Sequence, residues 1–346
     1  MSEKKIRVLI CDDSALVRQI LNSVFESDPQ IEVVGTASNP LIARQKIKQL
    51  NPDVLTLDIE MPEMDGLTFL EKIMTLRPMP VVMISSLTQQ GTAQTLRALE
   101  LGVCDIVGKP TSDLQTNFQT MKHEIITKVK AAASARIRPP MAMRREEKTA
   151  SKGRSAVELI AFGASTGGVV ALKEVLPEFP IDSPPIVIVQ HMPEAYTPGF
   201  AERLDIAARV NVVESEDGME LKPGCAYLAN GGQHMKIVKR GTKMYIEQCD
   251  AEAVSGHRPS VDVTFESIAE NIKGKVVASI LTGMGRDGAR GMLALRRAGA
   301  LTIGQSEDTC VVYGMPRVAF EVGGVEKVLP LSKIGTEVQK ACWPGA

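Results

Sequence analysis

Short β-branched runs alternate with amphipathic stretches twice along this chain, and no other feature restricts its fold as strongly. From Ile6 to about Ala131 the runs IRVLIC, EVVGTA, DVLTLD, VVMISS and CDIVGK are separated by stretches such as LVRQILNSVF, LIARQKIKQL and LTFLEKIMTL. Near-continuous apolar strands joined by helical crossovers predict a parallel sheet covered on both faces, with ligands beyond the carboxyl ends of the strands. Five strand–helix units make this a (βα)5 layout.

The pattern stops at ARIRPPMAMRREEKTASKGRS, Ala135 to Ser155, which has no sustained period, holds a proline pair and is rich in Arg and Lys. It reads as a flexible basic linker. Strand-like runs then return at VELIAFG, PPIVIVQ, CAYLAN, MYIEQC, KVVASILTG and ALTIGQ, with helical patterns at VVALKEVL, FAERLDIAA, VDVTFESIAENI and GARGMLALRRAG. This half predicts a second doubly wound, mainly parallel α/β domain, with a β-hairpin in KIVKRGTKMYIE turning at Arg240-Gly241. The expected boundaries are 1–131, a linker over 132–154, and 155–346.

A chain of 346 residues exceeds what one core usually organises. Its formal net charge of -1 gives no footprint for nucleic acid, so a DNA-binding regulator has no support. The N-terminal MSEKKIRVLICDD lacks a signal peptide's apolar core and no run is long enough to span a bilayer, which predicts a cytoplasmic protein without membrane insertion. The six cysteines form no C-x-x-C pair, against a zinc site or disulfide frame.

Chemistry enters at strand ends. The first strand ends in Cys11-Asp12-Asp13 and the third in Asp58. In a parallel sheet these carboxylates share one rim and repel each other, so a hard cation such as Mg²⁺ is their natural partner. Ser85 ends the fourth strand and Lys109-Pro110 follow the fifth, placing a hydroxyl and an ammonium where the oxygens of a phosphorylated carboxylate would lie. Any one acid can be a helix cap, as Asp13 or Ser14 can be before ALVRQIL. Five such residues on four strand ends, with MP-x-MDG after Asp58 and the KP pair, resemble the response-regulator receiver domain. That likeness implies a flavodoxin-like fold, Asp58 as phosphoacceptor, Asp12 and Asp13 with Asp58 around Mg²⁺, and Ser85 and Lys109 sensing the phosphoryl group. The position three before the lysine is Ile106 rather than the usual aromatic.

The stretch GASTGG, Gly163 to Gly168, admits two functional readings. As a phosphate cradle it lacks the lysine that must follow, since Val169-Val170 stand there, and Ser165 replaces the second glycine of a dinucleotide fingerprint. As G-x-S-x-G between strand and helix it presents Ser165 as a nucleophile, with a plain turn capped by Ser165 or Thr166 left open by the motif alone. A base is then required, and the chain has four histidines. His123 lies in a surface helix of the first half. His191 ends PPIVIVQ, on the same predicted sheet edge as Ser165, and Asp287 follows a third strand in SILTGMGRDG. These three can form a Ser-His-Asp triad, in the chain order Ser, His, Asp that sets it apart from α/β-hydrolases. Met284 and Thr166 are candidate donors of an oxyanion-stabilising N–H. His257, in SGHRPSVD, is a rival for the base, although its place at a helix start favours a cap or substrate contact, and the role of His234 stays open.

GASTGG, QHMP, GHRPSVD, LTGMGRDGARGM and GMPR together resemble the chemotaxis protein-glutamate methylesterase family, over the whole chain. The resemblance implies a catalytic Ser165, His191 and Asp287, hydrolysis of glutamate γ-methyl esters on the cytoplasmic helices of chemoreceptors, and deamidation of receptor glutamines, with no cofactor for the ester chemistry. A chemotaxis histidine kinase is the implied phosphodonor. Val169-Val170 and ANGGQ, Ala229 to Gln233, depart from the family's usual versions.

Overall fold

The computed structural model describes residues 4–61, 64–86, 89–109, 121–137, 153–272 and 275–344, excepting the side chains at 85–86 and 89–92. The chain divides into two compact units, 1–141 and 142–346.

In the first unit the strands β1 (Ile6–Cys11), β2 (Ile31–Ala37), β3 (Val54–Asp58), β4 (Val81–Ser86) and β5 (Asp105–Lys109) form a parallel sheet in the order β2-β1-β3-β4-β5. The helices are α1 (Ala15–Glu26), α2 (Pro40–Leu50), α3 (Gly66–Leu76), α4 (Gln89–Glu100) and α5 (Lys122–Ala133). The two-residue period of β1 sorts its side chains. Val8 and Ile10 join one core with Val24, Phe25 and Val129, while Leu9 and Cys11 join another with Ala43, Ile47 and Phe69. Ser14, Asn39 and Asp65 each cap a helix through a side-chain oxygen, so Ser14 rather than Asp13 is the cap before ALVRQIL.

The expected linker boundary moves. Helix α5 continues through Ala133, and Ala135 and Ile137 pack on the first unit's cores, because the apolar spacing of KVKAAASARI outlasts the point where the charge pattern changes. At the other end Gly153 already belongs to the second unit, its carbonyl accepting from Trp343 Nε1 at 3.0 Å. Residues 138–152 of the expected linker lie outside the described residues.

The second unit is built on a seven-stranded, all-parallel sheet in the order β14-β13-β12-β6-β7-β9-β8. Its strands are β6 (Leu159–Ala164), β7 (Ile186–Gln190), β8 (Asn211–Glu214), β9 (Cys225–Leu228), β12 (Val276–Ile280), β13 (Leu301–Gln305) and β14 (Lys327–Leu329). The hairpin β10 (His234–Arg240) and β11 (Lys243–Cys249) is separate and antiparallel, with Arg240 opposite Lys243. The turn is therefore Gly241-Thr242, one residue later than expected, and Gly241 takes the positive φ of 65° that the turn needs. Helices α6 (Gly168–Val175), α7 (Thr197–Ala207), α8 (Val261–Asn271), α9 (Ala289–Arg297), α10 (Met315–Glu321) and α11 (Leu331–Cys342) complete it. The edge strands β8 and β14, and helices α10 and α11, were not read from the sequence. The two strands are only four and three residues long and partly exposed, so they lack the apolar run by which buried strands are recognised.

The central strand β6 lies between β12 and β7; later strands follow outward on one side as β12, β13 and β14, while on the other the chain passes to β7 and then to β9 and the edge strand β8. Such a reversal opens a crevice at the carboxyl ends of the central strands. Helix α8 closes over one face because β6 carries glycine there: a Cβ on Gly163 would lie 2.4 Å from Val261 Cγ1. Val261 is β-branched and cannot swing aside. Gly163→Ala is therefore expected to destabilise the second unit by about 1–3 kcal/mol, read from its urea unfolding transition; an unchanged midpoint contradicts this packing.

Candidate active site

Three adjacent strands deliver three side chains to the crevice. Ser165 follows β6, His191 follows β7, and Asp287 lies in the turn after β12. The ladder continues past the strands: Ser165 N–H donates to Thr282 O at 3.0 Å and His191 N–H to Ala164 O at 3.0 Å. Gln190 Nε2 donates to the carbonyls of both Ser165 (3.0 Å) and His191 (3.1 Å), fixing their backbones to one another.

The glycines of GASTGG serve shape. Gly167 sits at φ 80° and is itself the N-cap of α6, so no side chain caps that helix and the capping alternative for Ser165 and Thr166 is overturned. A Cβ on Gly168 would lie 2.0 Å from Gln190 Oε1, and one on Gly167 would lie 2.6 Å from Val311. Ser165 is left partly exposed, and its hydroxyl makes no hydrogen bond among the described residues.

His191 Nε2 lies 2.7 Å from Asp287 Oδ2. Burial pushes the Asp287 carboxyl up, but hydrogen bonds from His191, Ser260 Oγ (2.7 Å) and Val261 N–H (2.7 Å) outweigh it and hold the group below its ordinary 3.8. A carboxylate accepts only, so Nε2 carries the proton and Nδ1 the lone pair. Nδ1 is buried and has no hydrogen-bond partner among the described residues. It is the ring atom available to a hydroxyl, and the two nitrogens have exchanged the roles they take in the usual serine-protease triad. The imidazole is held flat by His257, whose ring stacks on it at 3.7 Å between centroids and 12° between planes. Of the roles read for His257 the cap is overturned, since Ser260 caps α8, and the His257 ring lies instead on His191.

Both oxyanion candidates adjoin Ser165. Gly283 is so near that a Cβ there would lie 2.8 Å from Ser165 Cβ, and the following Met284 N–H donates to no group among the described residues. The turn is pinned from GMPR, since Gly314 N–H and Met315 N–H both donate to Gly283 O, at 3.0 and 2.8 Å. Thr166 is buried, its carbonyl accepting from Thr282 Oγ1 at 3.0 Å. ANGGQ packs on the segment that follows His191: a Cβ on Gly231 would lie 2.5 Å from Met192 O and 2.4 Å from Glu194 N. Gln190, Ser260 and the amides at the start of α8 were missed in the sequence; Ser260 signalled only a helix start, which hid its second bond to Asp287.

In the first unit Asp12, Asp13 and Asp58 offer carboxylate oxygens within 4.8 Å of one another. Lys109 Nζ lies 2.9 Å from Asp12 Oδ2 and 2.7 Å from Asp58 Oδ2. Burial pushes Asp58 up to about 6, aided by Asp12 and opposed by Lys109. An all-oxygen, acidic donor set of this kind suits a hard divalent cation. The glycine of MP-x-MDG is steric, because a Cβ on Gly66 would lie 2.0 Å from Asp58 O. Backbone pairing places Ser85 beside Gly108, next to Lys109, whereas the Ser85 side chain, Pro62, Glu63 and Pro110 lie outside the described residues.

A family model described as CheB methylesterase matches residues 160–338, and one described as response regulator receiver domain matches residues 8–119. The chain is 50% identical to a protein-glutamate methylesterase/protein-glutamine glutaminase of Geobacter metallireducens, covering 96% of this chain and 95% of that protein. The chain belongs to the CheB methylesterase family. It is also 51% identical to the Salmonella typhimurium protein of that description, with 96% of each covered. The crystal structure of the Thermotoga maritima CheB methylesterase catalytic domain aligns with TM-score 0.52 and 38% identity, over 53% of this chain and 97% of that one. As a CheB methylesterase the chain is a hydrolase of α/β fold joined to a receiver domain. No helix among the described residues is long and apolar enough to cross a membrane.

Because its native pKa is depressed, Asp287 adds stability above its unfolded value of 3.8 and loses it as pH falls through the lower native value. The stability advantage of the native chain over Asp287→Asn is expected to be level above about pH 4 and to shrink below it. Urea melts at several pH values measure this, and an advantage that grows on acidification contradicts it.

Proposed function

We propose that this chain hydrolyses glutamate γ-methyl esters on the cytoplasmic domains of chemoreceptors, and deamidates receptor glutamines, with Ser165, His191 and Asp287 as its triad. The observation that carries this reading is the His191–Asp287 contact of 2.7 Å, with the buried Nδ1 left unpartnered on the sheet edge that carries Ser165. Relatives bearing the same double activity in their names support the substrate.

Ser165 Oγ attacks the ester carbonyl carbon as Nδ1 of His191 takes its proton, and the carbonyl π electrons move onto oxygen. The resulting oxyanion meets the Met284 N–H, with that of Thr166 as the second candidate donor. Asp287 stabilises the imidazolium through Nε2, and the stacked His257 ring keeps it in plane. Collapse expels methoxide, which takes the proton from Nδ1 and leaves as methanol. Water then repeats the sequence on the acyl-enzyme and releases glutamate. With a glutamine side chain the leaving group is ammonia. The ester chemistry calls on no cofactor.

Regulation falls to the receiver, which a linker between Ile137 and Gly153 joins to the catalytic domain. Asp58 accepts a phosphoryl group from a chemotaxis histidine kinase; Asp12, Asp13 and Asp58 would hold Mg²⁺, and Ser85 and Lys109 would contact the phosphoryl oxygens. The cation, when bound, offsets the charge of the incoming phosphoryl group. New charge at Asp58 biases a two-state equilibrium towards the active enzyme. The enzyme works in the cytoplasm, where receptors present their methylated helices.

Methanol release from methylated receptor is the direct test. Ser165→Ala is expected to lower the rate by about 10³-fold or more while receptor binding is kept. A small acyl phosphate with Mg²⁺ is expected to raise the wild-type rate, and Asp58→Asn to remove that response. Hydrolysis that survives Ser165→Ala overturns the catalytic reading, and a rate indifferent to the phosphodonor overturns the regulatory one.

A further inference from the structure

His234 is buried to 1% exposure, yet the mechanism above leaves it without a task. It opens β10, on the hairpin beside the main sheet. Both of its ring nitrogens are engaged. Nε2 lies 3.0 Å from the Glu252 carbonyl oxygen and Nδ1 3.1 Å from the Ser260 amide nitrogen. A carbonyl accepts only and an amide N–H donates only, so Nε2 must carry the proton and Nδ1 must be bare. A buried imidazole held between those partners has one tautomer and one orientation.

The Ser260 amide is where this matters. Ser260 caps α8, and three consecutive residues there hold the triad acid: Ser260 Oγ and Asp262 N–H on Asp287 Oδ1, at 2.7 and 3.1 Å, and Val261 N–H on Oδ2, at 2.7 Å. The same Oδ2 meets His191. A chain of hydrogen bonds thus runs from His234 through Ser260 and Asp287 to the base. We infer that His234 is a positioning residue, whose neutral Nδ1 fixes the start of α8 and thereby the Asp287 carboxylate that orients His191. This rests on the triad reading above. A group three hydrogen bonds removed from the base acts on geometry, and by analogy with the outer partners of metal ligands its removal is expected to cost about 10- to 100-fold.

Two near-isosteric substitutions separate this role from simple anchoring of the Glu252 loop. In His234→Asn the amide oxygen takes the place of Nδ1 and can still accept from Ser260. In His234→Gln the longer side chain reaches the Nε2 position and leaves the Ser260 amide unpaired. The expected kcat for methanol release is about 10-fold or more higher in the Asn variant than in the Gln variant, with KM equal within about twofold. The downfield proton resonance of His191 Nε2–H, which needs no substrate, is expected to persist in the Asn variant and to shift or broaden in the Gln variant. Equal behaviour of the two variants, or the reverse order, overturns the inference. ¹⁵N-histidine spectra of the unmodified full chain give an independent reading at neutral pH: the Nε2–H tautomer is expected at His234, and an Nδ1–H or doubly protonated ring overturns it. Wild-type chain that releases no methanol but shows these resonances would count against the triad's proposed substrate and not against the hydrogen-bond chain.

Discussion

The carboxylate of Asp287 is the group on which the catalytic half of the molecule turns. It is 1% exposed, and an isolated charge so buried would be neutralised. It is held below its ordinary value first by the hydrogen bond from His191 and then by its place at the N-terminus of α8, where Ser260 Oγ and the amides of Val261 and Asp262 converge on its two oxygens and the helix dipole favours negative charge. The grip is mutual. Asp262, in the first turn of α8, accepts from Gly291 N–H in the first turn of α9 at 2.8 Å. Burial pushes Asp262 up, with Asp287 adding to the effect, so the two neighbouring acids are driven in opposite directions.

That arrangement demands close approach of backbone to backbone, which explains the density of glycine around it. Gly163 lets α8 lie on β6, Gly168 lets α6 start beside Gln190, and Gly283 and Gly314 bring two turns together next to Ser165. Each would collide if given a Cβ. The receiver uses the same device once, at Gly66 against the Asp58 carbonyl, although its site has the opposite electrostatic plan. There three acids crowd one rim with Lys109 between two of them, and burial raises Asp58 to about 6 instead of holding it low. One site keeps a charge ready as a fixed orienting group; the other keeps charge under strain, ready to be altered.

Much of this was legible beforehand because parallel sheets have rims. Once IRVLIC, DVLTLD, LIAFGA, IVIVQ and VVASI are recognised as buried strands, the residues at their carboxyl ends must gather at the edge of their own sheet; Asp58 ends such a strand, and Asp12, Ser165, His191 and Asp287 follow one. What stayed hidden has no local signature. Gln190 ends a strand and its amide works through space, while Ser260 looks like any helix cap until Asp287 is seen beside it. The stacking of His257 on His191 joins residues far apart in sequence and could not be read from GHRPSVD, which suggested a cap instead. The short edge strands β8 and β14 escaped because partial exposure breaks their apolar run.

A fluorophosphonate modifies a serine hydroxyl only as fast as a neighbouring base takes its proton, and it does so without any receptor. Comparing the rate of Ser165 modification in the native chain and in Asp287→Asn therefore isolates the contribution of the orienting carboxylate. If Asp287 sets the tautomer and orientation of His191, the rate falls by about 10⁴-fold. Modification of Ser165 at the native rate in that variant contradicts the account.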